Sequence, residues 1–159
     1  MSMTSTYEPA HTTTRKPLFT TGYAGFDLPG FLWKLRFDNI EDVIDVRENP
    51  YSRNQAFCQQ TLKRFLEQNE IRYVHVGQLG VPASLRQELR AGGDISDYFA
   101  AYRESLLGEE ATIAALMPML LERRCCLLCL EKNPSECHRS VLADWIAELH
   151  KNTFEVKHI

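Results

Sequence analysis

Six successive apolar residues, Cys125-Cys126-Leu127-Leu128-Cys129-Leu130, constrain this chain more than any other feature. A β-strand turns alternate residues to opposite faces, so a strand that is apolar throughout has to be covered on both sides. That condition places it at the centre of a sheet with helices on each face. The run ends in Glu131-Lys132-Asn133-Pro134, a turn signal, and is followed by Val141, Leu142, Trp145, Ile146 and Leu149 at helical spacing.

The same alternation of short strand and periodic helix recurs along the chain. Pro17 to Gly22 reads as a first strand, and Leu28, Phe31, Leu32 and Leu35 mark a helix capped by Asp27 with Pro29 in its first turn. Val43 to Arg47 is a second strand, followed by helical spacing from Gln55 to Asn69. Ile71 to Val76 is a third, after which helices are predicted over 85–91, from a cap at Asp94, and over 109–124 with a kink or restart at Pro118. Cys125 to Leu130 is the fourth strand and Thr153 to Ile159 a fifth, at an edge. Parallel neighbours need crossover helices, so the pattern predicts a single-domain α/β fold over 17–159, doubly wound around a mostly parallel five-stranded sheet with helices on both faces. The expected strand order is 3-2-1-4-5. Ligands of such sheets bind outside the carboxyl ends of the strands, where Gly22-Tyr23, Asp45 to Arg47 and the Cys137 junction are expected to converge.

A chain of 159 residues with 44% hydrophobic and 25% charged residues has ordinary globular composition. It contains no apolar stretch near the roughly 20 residues of a membrane span, so no membrane partner is expected. Residues 1–16 lack the apolar core of a secretory signal and read as a disordered tail. Five cysteines without framework spacing point to a reducing, cytoplasmic setting. A formal net charge of −3 argues against broad affinity for nucleic acid, though it leaves room for a local basic groove.

Cysteines and a histidine this close together raise the question of zinc. On a strand, Cys125 and Cys129 stand about 13 Å apart at roughly 3.3 Å per residue, too far to share one tetrahedral ion. Cys126 and Cys129 face opposite sides, and there is no Cys-x-x-Cys pair of the knuckle type. No metal and no cofactor is therefore expected, and a mononuclear grouping of Cys129, Cys137 and His138 is what the spacing leaves open. A helix start instead makes the Cys137 to Ser140 stretch an anion site, because unpaired N–H groups and the helix dipole favour negative charge there. Arg139 would add to it. Cys137 is either a thiolate nucleophile of lowered pKa or a residue bordering the buried stripe. His138 falls on the sheet-facing side of the helix, as a hydrogen-bonded core residue or as a site residue beneath the anion. Asp45 and Arg47 share one face of the second strand, either as a structural pair or with Arg47 receiving an anion that Asp45 helps orient.

Asp45-Val46-Arg47 with Pro50 and Ser52-Arg53, Arg72-Tyr73-Val74-His75 with Leu79-Gly80, and Leu128 to Lys132 with Cys137-His138-Arg139-Ser140 together resemble the domain-of-unknown-function family 488. The resemblance covers about residues 18 to 159. It implies a small α/β domain with a polar site built from these motifs, and no settled reaction. Two departures are visible: Gly22-Tyr23-Ala24 stands where the family has Gly-His-Ser, and Leu79-Gly80-Val81 where it has Leu-Gly-Gly.

These readings combine into an expected anion- or phosphate-binding pocket acting on a nucleotide or other anionic small molecule. Arg47, Arg139, His138, Tyr23 and Arg53 would surround the ligand, with Cys137 as nucleophile and Asp45 and Glu131 orienting groups or moving protons. The competing expectation is a non-catalytic nucleic-acid or protein-partner module using Arg53, Arg86 and Arg90.

Overall fold

Apolar alternation sorts the chain onto the two sides of one sheet. The computed structural model describes residues 14–151 and 153–159, so most of the tail expected over 1–16 lies outside the described residues. The strands β1 (Lys16–Gly22), β2 (Asp42–Asp45), β3 (Arg72–His75), β4 (Cys125–Cys129) and β5 (Phe154–His158) all pair in parallel. Lys16, expected in the tail, is already the first residue of β1 and pairs with Phe154.

The order is β3-β2-β4-β1-β5, which corrects the expected 3-2-1-4-5 by exchanging β1 and β4. The reason is burial. Every residue of β4 is buried, which suits the central position between two strands. β1 begins with half-buried Lys16 and Pro17, and a proline that cannot donate to the ladder belongs at a strand start, here beside the edge strand β5.

Helices α1 (Leu28–Phe37) and α2 (Gln59–Gln68) cover one face, where Phe31, Leu35, Leu62 and Leu66 pack with Phe19, Val43, Cys126 and Leu128. On the other face lie α3 (Ala83–Arg90), α4 (Ile95–Ser105), α5 (Glu110–Glu122) and α6 (His138–Leu149). There Tyr102, Leu120, Leu142, Trp145 and Ile146 pack with Leu18, Ile44, Cys125 and Leu127. The two sets of β4 residues, odd and even, thus enter different cores, as period 2 requires. Asp27 and Asp94 cap α1 and α4 as expected, each accepting backbone N–H bonds. Helix α5 continues through Pro118, where the sequence predicts a kink or restart.

Gly22 sits where β1 meets the segment leaving β4. A Cβ at this position would fall 1.7 Å from the carbonyl oxygen of Glu131 and 2.4 Å from its carbon, so side-chain movement could not relieve the clash. The missing side chain lets the two backbones touch. Gly22→Ala is expected to destabilise the protein by on the order of 3 kcal/mol or more, read as a lowered urea midpoint, because one backbone or the other has to be displaced.

Candidate functional site

Three chain exits lie side by side at the carboxyl edge of the sheet. The N–H of Tyr23 donates to the Cys129 carbonyl at 3.3 Å, that of Ala24 to Leu130 at 2.9 Å, and that of Val46 to Leu128 at 3.1 Å. Tyr23, Asp45 to Arg47 and the stretch after β4 therefore converge, and they do so because β1 and β2 flank β4.

The first group there is a buried ion pair. The Asp45 carboxylate, fully buried, accepts from Arg47 Nε at 2.8 Å, from Arg47 Nη2 at 2.5 Å, from the Arg47 backbone N–H at 3.2 Å and from the Tyr73 hydroxyl at 2.6 Å. Arg47 Nη1 donates to Tyr23 Oη at 3.2 Å and to the Phe57 carbonyl at 3.0 Å. Burial opposes the Arg47 charge, but the Asp45 carboxylate outweighs it and holds the guanidinium above its ordinary range. Burial, with Asp45 beside it, likewise pushes the Tyr73 hydroxyl up. This is a closed structural network. Arg47, expected as an anion ligand, and Asp45, expected to orient it or handle protons, have their polar atoms engaged by each other, by Tyr23, by Tyr73 and by backbone. Tyr23 is buried, stacked on Phe57 with ring centroids 4.5 Å apart.

The second group is set by the start of α6. Asn133 accepts from the Ser135 N–H at 3.1 Å and opens one 3-10 turn, Pro134–Glu136; Cys137 then serves as N-cap of α6. The same device precedes α2, where Asn54 opens the turn Gln55–Phe57 and Cys58 is the N-cap. An Asn-x-x-x-Cys spacing occurs in the sequence at both places and was the available signal for it. The helix thus begins later than a cap at Asn133 or Ser135 implies, and the Cys137 N–H is not free: it donates to the Pro134 carbonyl at 3.2 Å.

With α6 starting there, Cys137 and His138 come to rest against Cys129, which points to the α6 side of β4. His138 Nδ1 is 3.5 Å from Cys129 Sγ and 4.0 Å from Cys137 Sγ, and Glu131 Oε2 is 3.6 Å from Cys129 Sγ. His138 Nε2 meets the Val46 carbonyl at 3.3 Å. A carbonyl can only accept, so Nε2 carries the proton of that bond and Nδ1 is the ring nitrogen turned toward the sulfurs. Tyr102 packs edge-to-face on the imidazole, with centroids 5.1 Å apart. The Cys137 thiol is held well below the ordinary thiol range, chiefly by the Cys129 thiol and then by His138 and the Arg139 amide, against the opposing effect of burial. Cys129 is pushed up in turn by Cys137 and by burial. Burial and the neighbouring Cys137 also raise Glu131. Cys137 itself is 1% exposed, so its sulfur is reached by something small or not at all.

Arg139, expected as an anion ligand, is an interior residue. It is 0% exposed, and its guanidinium donates to the carbonyls of Glu131 and Lys132 and, from Nε at 3.3 Å, to Thr20 Oγ1. It is a staple from α6 to the β4 exit and to β1, with no free face for a ligand.

The open cations lie elsewhere. A cleft of about 520 Å³ is lined by Tyr23, Tyr51, Ser52, Arg53, Asn54, Arg90 and the loop at Ala24-Gly25, with Leu130 at its border. Arg53 and Arg90 are exposed and have no ion-pair partner among the described residues. Arg86 differs: it is paired with Glu48 at 2.5 Å and bonded to the Val81 carbonyl. A second hollow of about 680 Å³ adjoins the first through Ala24 and Leu130 and carries Glu131 and Lys132. Of the residues expected at the site, Arg53 and Tyr23 thus line the cleft, Glu131, Cys137 and His138 form the thiol cluster, and Asp45, Arg47 and Arg139 are interior. Arg90, expected only in the competing nucleic-acid reading, also lines the cleft, and Tyr51 has no sequence signal to mark it.

If the two buried arginines are structural, removing their interactions is read in stability. Asp45→Asn strands the Arg47 charge and is expected to cost about 3–5 kcal/mol. Arg139→Met leaves two carbonyls and a hydroxyl without their donor and is expected to cost about 3 kcal/mol. Urea titration at unchanged slope checks both, and an Arg139→Met protein of native stability would restore that guanidinium to ligand binding.

Comparison with known proteins gives one match. The family described as "Domain of unknown function DUF488" matches residues 27–146, which include Asp45, Arg47 and Tyr73, the thiol cluster, Arg53 and Arg90 of the cleft and most of α6, and leave out β1 and Tyr23. No curated protein and no solved structure shows significant similarity to the chain. With most of its length matched, the chain belongs to the DUF488 family.

Proposed function

We propose that this protein binds a phosphate-bearing small molecule of about nucleotide size in the cleft at the carboxyl edge of its sheet. The observation that carries the reading is the meeting of Arg53, in the loop after β2, and Arg90, in α3, in one cleft of about 520 Å³ with neither guanidinium engaged by a carboxylate among the described residues. Arginine is the side chain whose planar fork matches phosphate oxygens, and a cleft of a few hundred Å³ suits a ligand of this size. Exposed Tyr51 offers a ring face for the rest of the ligand. The adjoining hollow, with Glu131 on its wall, is where we place the reacting end.

The nucleic-acid reading is less well supported. Its third cation, Arg86, is paired with Glu48, and two free arginines on a chain of formal net charge −3 make a short cationic patch rather than a track for a polyanion.

Calorimetric titration with inorganic pyrophosphate, a nucleoside diphosphate and a single-stranded oligonucleotide tests the proposal. The first two are expected to bind and to raise the melting temperature. Arg53→Ala and Arg90→Ala should each weaken them by about tenfold, the scale of one charge-assisted hydrogen bond. No response to either compound, or binding indifferent to both substitutions, overturns the reading; oligonucleotide binding with a steep salt dependence would transfer it to the competing class.

A further inference from the structure

We propose that Cys129, Cys137 and His138, with Glu131 as fourth donor, form a binding site for one tetrahedrally coordinated divalent ion of the zinc type. Cys125 and Cys126 share no ion with Cys129, since they point into separate cores on opposite faces. The fold assembles a different set. Cys129 lies at the end of β4 and Cys137 and His138 at the start of α6, and the 3-10 turn between them folds the second pair back under the first.

The distances fit the ion. Zinc–sulfur bonds of about 2.3 Å and zinc–nitrogen or zinc–oxygen bonds of about 2.0–2.1 Å at tetrahedral angles separate neighbouring donors by about 3.5–3.8 Å. The donor atoms of Cys129, Cys137 and His138 all lie within 4.8 Å of one another, with the imidazole nitrogen 3.5 Å from one sulfur and 4.0 Å from the other. Glu131 Oε2 lies 3.6 Å from Cys129 Sγ but outside the 4.8 Å spread of the other three donor atoms, so it becomes the fourth ligand by a shift of its half-buried side chain.

The surroundings also carry the features of a metal centre. A ligating histidine characteristically donates its second ring N–H to a carbonyl or carboxylate, which fixes the tautomer and aims the other nitrogen. His138 does so to the Val46 carbonyl at 3.3 Å, and Tyr102 holds the ring edge-on. Two soft sulfurs, an imidazole and a carboxylate select zinc, an ion of borderline softness, over the hard ions magnesium and calcium. The cysteines and histidine are buried, whereas half-buried Glu131 lines the second hollow, so the ion would have one donor toward solvent and three toward the protein. That is the arrangement of a site able to exchange one ligand for water or substrate. The inference goes beyond the phosphate reading and stands without it, since the test contains no ligand of the cleft.

Cobalt substitution decides it. The reduced, chelator-stripped protein is titrated with Co²⁺ alone and followed by absorption. One equivalent is expected to bind, with the intense visible d–d bands of a tetrahedral site and a near-ultraviolet thiolate charge-transfer band, and Zn²⁺ should displace it. Cys137→Ser and Cys129→Ser should each lose about half of the charge-transfer intensity, Cys58→Ser none. Glu131→Gln, at the half-buried position, should weaken the ion by about tenfold, the scale of a single supporting group. Circular dichroism establishes which variants fold, and where a cysteine variant does not, X-ray absorption of the zinc-loaded native protein is to show two sulfur neighbours. A native protein that takes up no Co²⁺, gives the pale spectrum of octahedral cobalt, shows no sulfur at the zinc, or loses its bands in Cys58→Ser overturns the proposal.

Discussion

A guanidinium with no exposed surface cannot be left without partners, because the cost of removing its charge from water has to be met by hydrogen bonds in the interior. Arg139 meets it with two carbonyls of the segment leaving β4 and the hydroxyl of Thr20 on β1. That geometry has consequences beyond the side chain. To present Glu131 and Lys132 carbonyls to a residue in the first turn of α6, the chain has to double back over the helix start. Doubling back sets Cys137 and His138 beneath Cys129 and leaves Glu131 facing them. Thr20 extends the stitch, since its hydroxyl accepts from Arg139 and is also hydrogen-bonded with His158 Nδ1, 2.7 Å away on the edge strand. One cation thereby joins β4, α6, β1 and β5.

Asp45 and Arg47 do for β2 what Arg139 does for β4. Together with Tyr73 and Tyr23 they tie the exits of β2, β3 and β1 into one dry network, in which each charge is compensated at contact distance. Two arginines that lie in recognisable motifs are thus consumed by architecture. Of the pair that lines the cleft, Arg53 lies in the same motif as Arg47 yet stays exposed, and Arg90 lies outside the motifs. Position in a motif shows that a residue matters; its burial shows what it does.

The division between what can be read from the chain and what cannot follows from range. The all-apolar β4, the Asp27 and Asp94 caps and the apolar stripes of α1, α2 and α6 are local patterns, and each is legible because its physics acts within a few residues. Period 2 likewise separates Cys126 from Cys125 and Cys129. Strand order is not local: exchanging β1 and β4 alters no helix or strand, and what decides it is the burial of β4 on both faces set against the polar start of β1. The role of Arg139 was hidden for a similar reason. A helix start and an arginine describe an anion site equally well whether the acceptor is a ligand or the protein's own carbonyls, and only the fold of the Glu131–Pro134 turn distinguishes them. The Cys129–Cys137–His138 grouping was visible as a possibility, since spacing permits it, but its distances depend on the 3-10 turn that the Asn-x-x-x-Cys pattern announces.

The exchanged strand order also bears on how the protein is made. β1 leaves the ribosome first, yet its two partners are β4 and β5, so Phe19 has to wait for Cys126 and Thr20 for His158. Until then both edges of β1 present unpaired backbone groups, of the kind that template pairing with other chains. Contacts of such long sequence separation form slowly because the intervening loop has first to be closed. The thiol cluster and the cleft lie along the seam between β1, β4 and β2, and they come into being with its closure. A nascent chain that ends before β4 has helices, part of a sheet and no site.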